Sequence, residues 1–188
     1  MENATEVLRK EHKGILKMLD VTEEVARRLD VGEQVAPEKL ASLLEFFRLF
    51  ADRCHHGKEE DLLFPLLQEK GMPRAGGPIG VMLAEHDQGR SLVKQMAEAS
   101  ESYTTGATEA GSRWAEAARG YCALLRGHIG KENDVLFVMA ERMLSPAEQG
   151  KLAEGFEQIE VEKMGAGTHE RLHAMMDKMM AEFLPRKK

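Results

Sequence analysis

His55-His56-Gly57-Lys58-Glu59-Glu60-Asp61-Leu62-Leu63-Phe64 and His128-Ile129-Gly130-Lys131-Glu132-Asn133-Asp134-Val135-Leu136-Phe137 are one ten-residue stretch written twice, 73 positions apart, with seven positions identical. Each copy carries His and Glu at i, i+4, which on a helix lie one turn apart on the same face. Both His55/Glu59 and His56/Glu60 have that spacing, but only the first pair recurs, as His128/Glu132; His56 falls on Ile129 and Glu60 on Asn133. The repeat therefore singles out His55, Glu59, His128 and Glu132, and leaves His56 and Glu60 either beside them or on the surface. Upstream of each copy, Glu11-His12 recurs as Glu85-His86 at an offset of 74. A helical hairpin is duplicated, and each half brings one lone His followed by His-x-x-x-Glu.

The flanking sequence supplies the helices. Asn3-Ala4-Thr5-Glu6 has the form of a capping box, and Leu8, His12, Ile15, Leu16 and Leu19 follow at helical spacing up to a stop at Gly32. Pro37 suits the first turn of a second helix running through Leu40, Leu44, Phe47, Ala51, His55, Glu59 and Leu62, with a kink or early end at Pro65. The loop Gly71 to Pro78 leads to a third helix ending near Tyr103, and a fourth covers about Ala107 to Leu144. Ser145-Pro146-Ala147-Glu148 is a second capping box; it opens a helix that falters at Gly165-Ala166-Gly167, before a last one with Leu172, Met176, Met179 and Phe183 on one face. The expected fold is all-α: an up-down-up-down four-helix bundle over residues 1–144, with one or two further helices over 145–188 packed on it or mediating assembly of copies.

Composition is consistent with that fold. In a chain of 188 residues, 43% hydrophobic and 31% charged, the low aromatic content (5%) and 12 Met favour packed helices over sheet. A net charge of −6 argues against nucleic acid as partner, since phosphate binding needs a basic face; the one basic run, Arg186-Lys187-Lys188, reads as a solvated tail. No run of about 18 apolar residues suggests a membrane span, and the N-terminus lacks the apolar core of a signal peptide. Cys54 and Cys122 form no C-x-x-C pair, so a reducing cytoplasm is expected; each thiol lies near a candidate ligand in sequence and is more simply read as buried and inert than as a redox sensor.

One His/Glu pair on a charged helix is ordinarily a solvated face. Two near-identical copies in line with core positions are better explained by a shared interior site of four imidazoles and two carboxylates. Such donors suit iron and, less selectively, manganese or zinc, and carboxylates can bridge two cations. Isolated in a core, the same groups would be costly.

At these residues the chain resembles the hemerythrin-like, or HHE cation-binding, family, over about residues 4–144. The resemblance rests on Glu11-His12, the stretch from His55 to Pro65, Glu85-His86-Asp87, and the stretch from His128 to Phe137. It implies a four-helix bundle enclosing a non-haem pair of iron ions, bridged by carboxylates and by an oxo or hydroxo group, with ligands at His12, His55, Glu59, His86, His128 and Glu132. Oxygen-carrying members have a further His where this chain has Arg90, and end in His-x-x-x-x-Asp rather than His128-x-x-x-Glu132. The set found here is closer to di-iron proteins linked to repair of iron centres under nitrosative and oxidative stress, which puts reversible oxygen carriage in doubt. The implied function is binding of O2, NO or peroxide in sensing, scavenging or stress response. The alternatives are an enzyme decomposing peroxide or reducing NO, and iron storage or donation. Beyond the six ligands, Tyr121 is placed to line the same cavity, His169 and Glu162 to cap the centre, and His173 to share the face of His169. Each is more simply read as core or surface, and Met175, Met176, Met179 and Met180 as packing.

Overall fold

The computed structural model describes residues 3–165 and 167–184, and among these it contains helices and no strand. Helix α1 is Ala4–Asp30. Helix α2, residues 37–69, is continuous but changes winding along its length: Pro37–Phe46 is α-helical, Phe47–His56 and Glu59–Leu63 are π-helical, and Phe64–Glu69 is α-helical again. Helix α3 is Pro78–Thr104. Helix α4, residues 110–143, has one π-helical turn, Glu132–Leu136, between Ala110–Lys131 and Phe137–Met143. The short connections 31–36, 70–77 and 105–109 fold these four into the up-and-down bundle. Two more helices follow, α5 (Pro146–Met164) and α6 (Thr168–Phe183). Of the residues 165–167 that separate them, Ala166 lies outside the described residues, as does the basic run Arg186-Lys187-Lys188.

The termini largely follow the cap residues. Asn3 caps α1 by accepting the Thr5 N–H, but Glu6 does not complete the reciprocal box. Ser145 and Glu148 form both halves of theirs. Pro65 does not end α2. It falls in the first turn of the segment Phe64–Glu69, just after the π turn Glu59–Leu63. The proline does not cause that turn, because the second copy makes the same turn at Glu132–Leu136 with Val138 in the corresponding place.

Buried apolar residues form two clusters. One holds Ile15, Leu19, Phe47, Phe50, Cys54, Val93, Leu125 and Ile129 among others; the second holds Leu8, Leu63, Phe64, Met82, Leu136 and Phe137. Along every bundle helix the polar residues of the repeat fall between the two, for example His12 between Leu8 and Ile15 on α1. The site is thus a polar layer enclosed by hydrocarbon at both ends.

The last two helices pack on the bundle. Leu172, Met176, Met179 and Phe183 of α6 join the first cluster, Met175 and Met180 pack against it, and Phe156 of α5 joins the second. Gly155 permits the approach of α5 to α2, since a Cβ there would stand 2.9 Å from Leu62 Cδ1. Charged contacts Lys163–Asp61 and Arg171–Glu45 hold the margins.

Candidate metal centre

His12 (α1), His55 and Glu59 (α2), His86 (α3), and His128 and Glu132 (α4) meet in this polar layer, each at most 1% exposed. Their arrangement has a pseudo-twofold relation that follows the repeat. His12 and His55 bring Nε2 atoms within 2.9 Å of each other, and His86 and His128 do the same at 3.1 Å. Each carboxylate spans the two pairs. Glu132 lies 3.1 Å from His12 Nε2 through Oε2 and 3.2 Å from His128 Nε2 through Oε1. Glu59 lies 3.7 Å from His55 Nε2 through Oε1 and 3.5 Å from His86 Nε2 through Oε2. Donor atoms of His12, His55, Glu59 and Glu132 fall within 4.8 Å of one another, as do those of His56, Glu59, His86 and His128.

The outer nitrogens fix the rings. His55 Nδ1 meets Glu11 Oε2 at 2.8 Å, and its counterpart His128 Nδ1 meets Glu85 Oε2 at 2.9 Å. His86 Nδ1 meets Glu60 Oε1 at 2.7 Å, and its counterpart His12 Nδ1 meets Asn133 Oδ1 at 3.0 Å. All four partners are acceptors, so each Nδ1 carries the proton and each Nε2 turns a lone pair inward. Phe137 stacks on His12 (5.4 Å, 12°) and Phe64 on His86 (6.0 Å, 18°), so the last residue of each repeated stretch supports a lone histidine of the opposite hairpin. Lys58 binds Glu11 and Lys131 binds Glu85. Glu11 and Glu85 are the functional residues that spacing did not identify; the signal was the repeated Glu-His dipeptide.

Four imidazole lone pairs and four carboxylate oxygens therefore face one another. The oxygens of Glu59 and Glu132 are buried without a hydrogen-bond partner among the described residues. An acceptor-only interior of this kind must take up protons or cations, because unpaired buried carboxylates cost several kcal/mol each. Proton uptake is uneven. Burial depresses His55 to about 3, whereas at His86 burial is outweighed by Glu59 and Glu60, which lift it to about 9. Burial likewise opposes the charged form of His12 and His128, but contacts with Glu132 outweigh it and raise both. Metal ions and protons would compete for the same nitrogens. Neutral imidazole and carboxylate are donors that suit first-row metal ions, and at these spacings they could hold one.

The other candidates divide between the rim of the site and positions away from it. Glu60 supports His86, and His56 stacks on His86 at 3.7 Å without being one of the six. Tyr121 is buried against Phe47 two turns above His128. His169 is half-buried beside Phe50 and contacts exposed His173; neither they nor Glu162 join the two groups of donors. Cys54 and Cys122 are buried free thiols, and burial pushes both up to about 12. No helix among the described residues is long and apolar enough to cross a membrane.

Comparison with known proteins identifies the family. The family model described as hemerythrin HHE cation binding domain matches residues 3–140. An uncharacterized protein of Mycobacterium tuberculosis is 26% identical over 86% of this chain and 63% of its own length. The iron-sulfur cluster repair protein YtfE of an Enterobacter species is 31% identical over 69% of this chain and 59% of its own. Its namesake in Escherichia coli is 36% identical over 46% and 40%. The chain thus spans less than two thirds of the length of each of these relatives.

Proposed function

The chain belongs to the hemerythrin HHE cation-binding family, and from that premise we propose that the six inward-facing residues hold two iron ions, His12 and His55 at one and His86 and His128 at the other, with Glu59 and Glu132 shared between them. One observation carries this reading: four imidazoles and two carboxylates converge from four helices, and the carboxylate oxygens have no hydrogen-bond partner among the described residues. The unit that holds the pair is residues 1–144, and 145–188 is an extension packed on it. When bound, such a pair would supply redox chemistry and a place for a small ligand; the oxo or hydroxo bridge and the sharing of Glu59 and Glu132 are part of the proposal. The chain's own part is to orient the rings through Glu11, Asn133, Glu60 and Glu85, and to exclude bulk water with the two apolar clusters.

The proposed role is binding of O2, NO or peroxide in a stress response. A second reading, iron donation in the repair of iron centres, draws support from the name of the Enterobacter relative and from the four-His, two-Glu set. A cytoplasmic setting fits the two free thiols, and the charge of −6 disfavours nucleic acid. Assembly through the C-terminal helices has less support, since Leu172, Met176, Met179 and Phe183 are spent on the bundle.

The test is metal analysis of protein produced with iron. Two irons per chain are expected, with loss in His55→Ala and His128→Ala; full complements in both variants would overturn the assignment. Stopped-flow spectra of the reduced protein with O2 or NO, set against transfer of iron to an apo-cluster protein, separate the two roles.

A further inference from the structure

The repeat relates the two halves of the bundle, so each feature of one half has a counterpart 73 or 74 residues away. Between α2 and α3 lies a cavity of about 190 Å³ bounded by Phe47, Asp52, His56, Gly89, Arg90 and Tyr121, with exposed Arg48 and Lys94 at its rim. The counterpart of Asp52 is Leu125, of His56 Ile129, of Gly89 Ile15 and of Arg90 Leu16. Ile15, Leu125 and Ile129 are buried core. One side of the duplicated structure is hollow and carries Asp52, His56 and Arg90 where the other is filled with hydrocarbon. The winding differs as well: Phe47, Asp52 and His56 lie on the π-helical stretch Phe47–His56, while the corresponding residues 120–129 are α-helical.

Building on the metal reading, we infer that this cavity admits the small ligand, that it serves the ion position of His86 and His128 rather than that of His12 and His55, and that His56 receives peroxide there, the one proposed ligand that bears a proton, by accepting its hydrogen bond. His56 is 5% exposed and forms the wall between the cavity and the centre. Its ring lies parallel to His86 (3.7 Å, 14°) and edge-on to His128 (5.7 Å, 76°). A His56 ring nitrogen lies within 4.8 Å of donor atoms of Glu59, His86 and His128, so the ring stands against the ion position, stacked on one of its ligands. Asp52 accepts the His56 Nδ1–H at 3.3 Å, which leaves Nε2 as an acceptor for a proton-bearing ligand. Arg90 ties the wall to the ligand set: its Nε binds Asp52 at 2.9 Å and its NH2 group binds Glu60, which holds His86. The volume is that of about six waters at ~30 Å³ each, enough for a ligand of a few atoms and too small for typical metabolite sites of roughly 300 Å³ or more. The side of His12 and His55 is closed by α5: Lys58 is fully buried, pairs with Glu11 and Glu160 and lies near Phe156, whereas its counterpart Lys131 is 45% exposed.

The probes are azide, which carries no proton at neutral pH, and hydrogen peroxide, which does. Both are mixed with iron-loaded protein in stopped flow, with iron per chain measured alongside. Gly89→Leu places side chain between α3 and Tyr121, whose ring a Cβ would meet at 3.5 Å, and should slow entry of both probes by about tenfold. His56→Ile, which installs the counterpart residue, should slow the optical change with peroxide by about tenfold, the worth of one hydrogen bond, and that with azide much less. His56→Gln keeps an acceptor and should restore most of the peroxide rate. All three should keep two irons. Unchanged rates in both Gly89→Leu and His56→Ile overturn the inference, as does loss of an iron in His56→Ile, which would make His56 a ligand. Wild-type protein holding no iron pair overturns the metal reading itself, and the inference with it.

Discussion

Lys58 and Lys131 occupy the same place in the two copies and make the same contact, to Glu11 and Glu85, yet their replacement by Met should have very different costs. The lysine-to-methionine change keeps most of the side-chain volume and removes the charge. Lys58 is fully buried and Glu11 is 9% exposed. Burial already pushes the Glu11 carboxyl up against the pull of Lys58. Removing the cation leaves a largely buried carboxylate held only by the His55 Nδ1–H, a loss of about 3–5 kcal/mol. Lys131 is 45% exposed and Glu85 15%, so water replaces the ammonium and the cost is about 0–1 kcal/mol. For a chain of this length that translates to a Tm drop of about 6–20 °C for Lys58→Met and less than about 4 °C for Lys131→Met. The assay is thermal unfolding by circular dichroism with all proteins chelator-treated, so that metal affinity does not enter. Burial of Glu11 gives the pH dependence its sign. With its folded pKa above the unfolded value, protonated Glu11 favours the folded state at low pH, and that contribution is lost as pH rises through the folded pKa. The Lys58→Met deficit should therefore be larger at pH 8 than at pH 5. Equal costs for the two lysines would refute the claim that α5 makes the halves electrostatically unequal.

Other outcomes follow from single features. Gly130→Ala should stabilise by about 0.5–1 kcal/mol, because a Cβ there meets nothing within 4 Å in a helix interior, and chemical denaturation measures it. Gly155→Val should destabilise by about 1–3 kcal/mol in the same assay, because even a Cβ stands 2.9 Å from Leu62 Cδ1. Cys54 and Cys122 should resist a thiol reagent at pH 8 in the folded protein and both react once it is unfolded; their neutral-thiol contribution to stability is present below the unfolded pKa near 9 and is lost as pH rises towards about 12. Iron loading should weaken as pH falls, since protons compete at His86, and a chelator-stripped sample should melt below the loaded one.

The helices were legible because hydrophobic period and caps act locally. The six central side chains were legible because the chain repeats itself: the comparison of His56 with Ile129 and of Glu60 with Asn133 was enough to separate the inward pair from its neighbour. The outer acceptors of His55 and His128 were not legible, for a reason of geometry. Glu11 and Glu85 each sit next to a histidine in sequence, yet each serves a different histidine, on another helix, 44 and 43 positions away. Adjacent helical residues point about 100° apart, so sequence neighbours at such a site work on different partners. Pro65 misled for a related reason. Its missing N–H signals an interruption, but what alters the ladder is the site: Phe64 N–H bonds Glu59 C=O and Phe137 N–H bonds Glu132 C=O, one residue beyond the α pattern, in both copies. A turn that widens at both carboxylates, with proline following only one of them, belongs to the carboxylates. The second π stretch, Phe47–His56, has no partner in α4 and coincides with the cavity, so the first kind of π turn is part of what the halves share and the second is part of what distinguishes them.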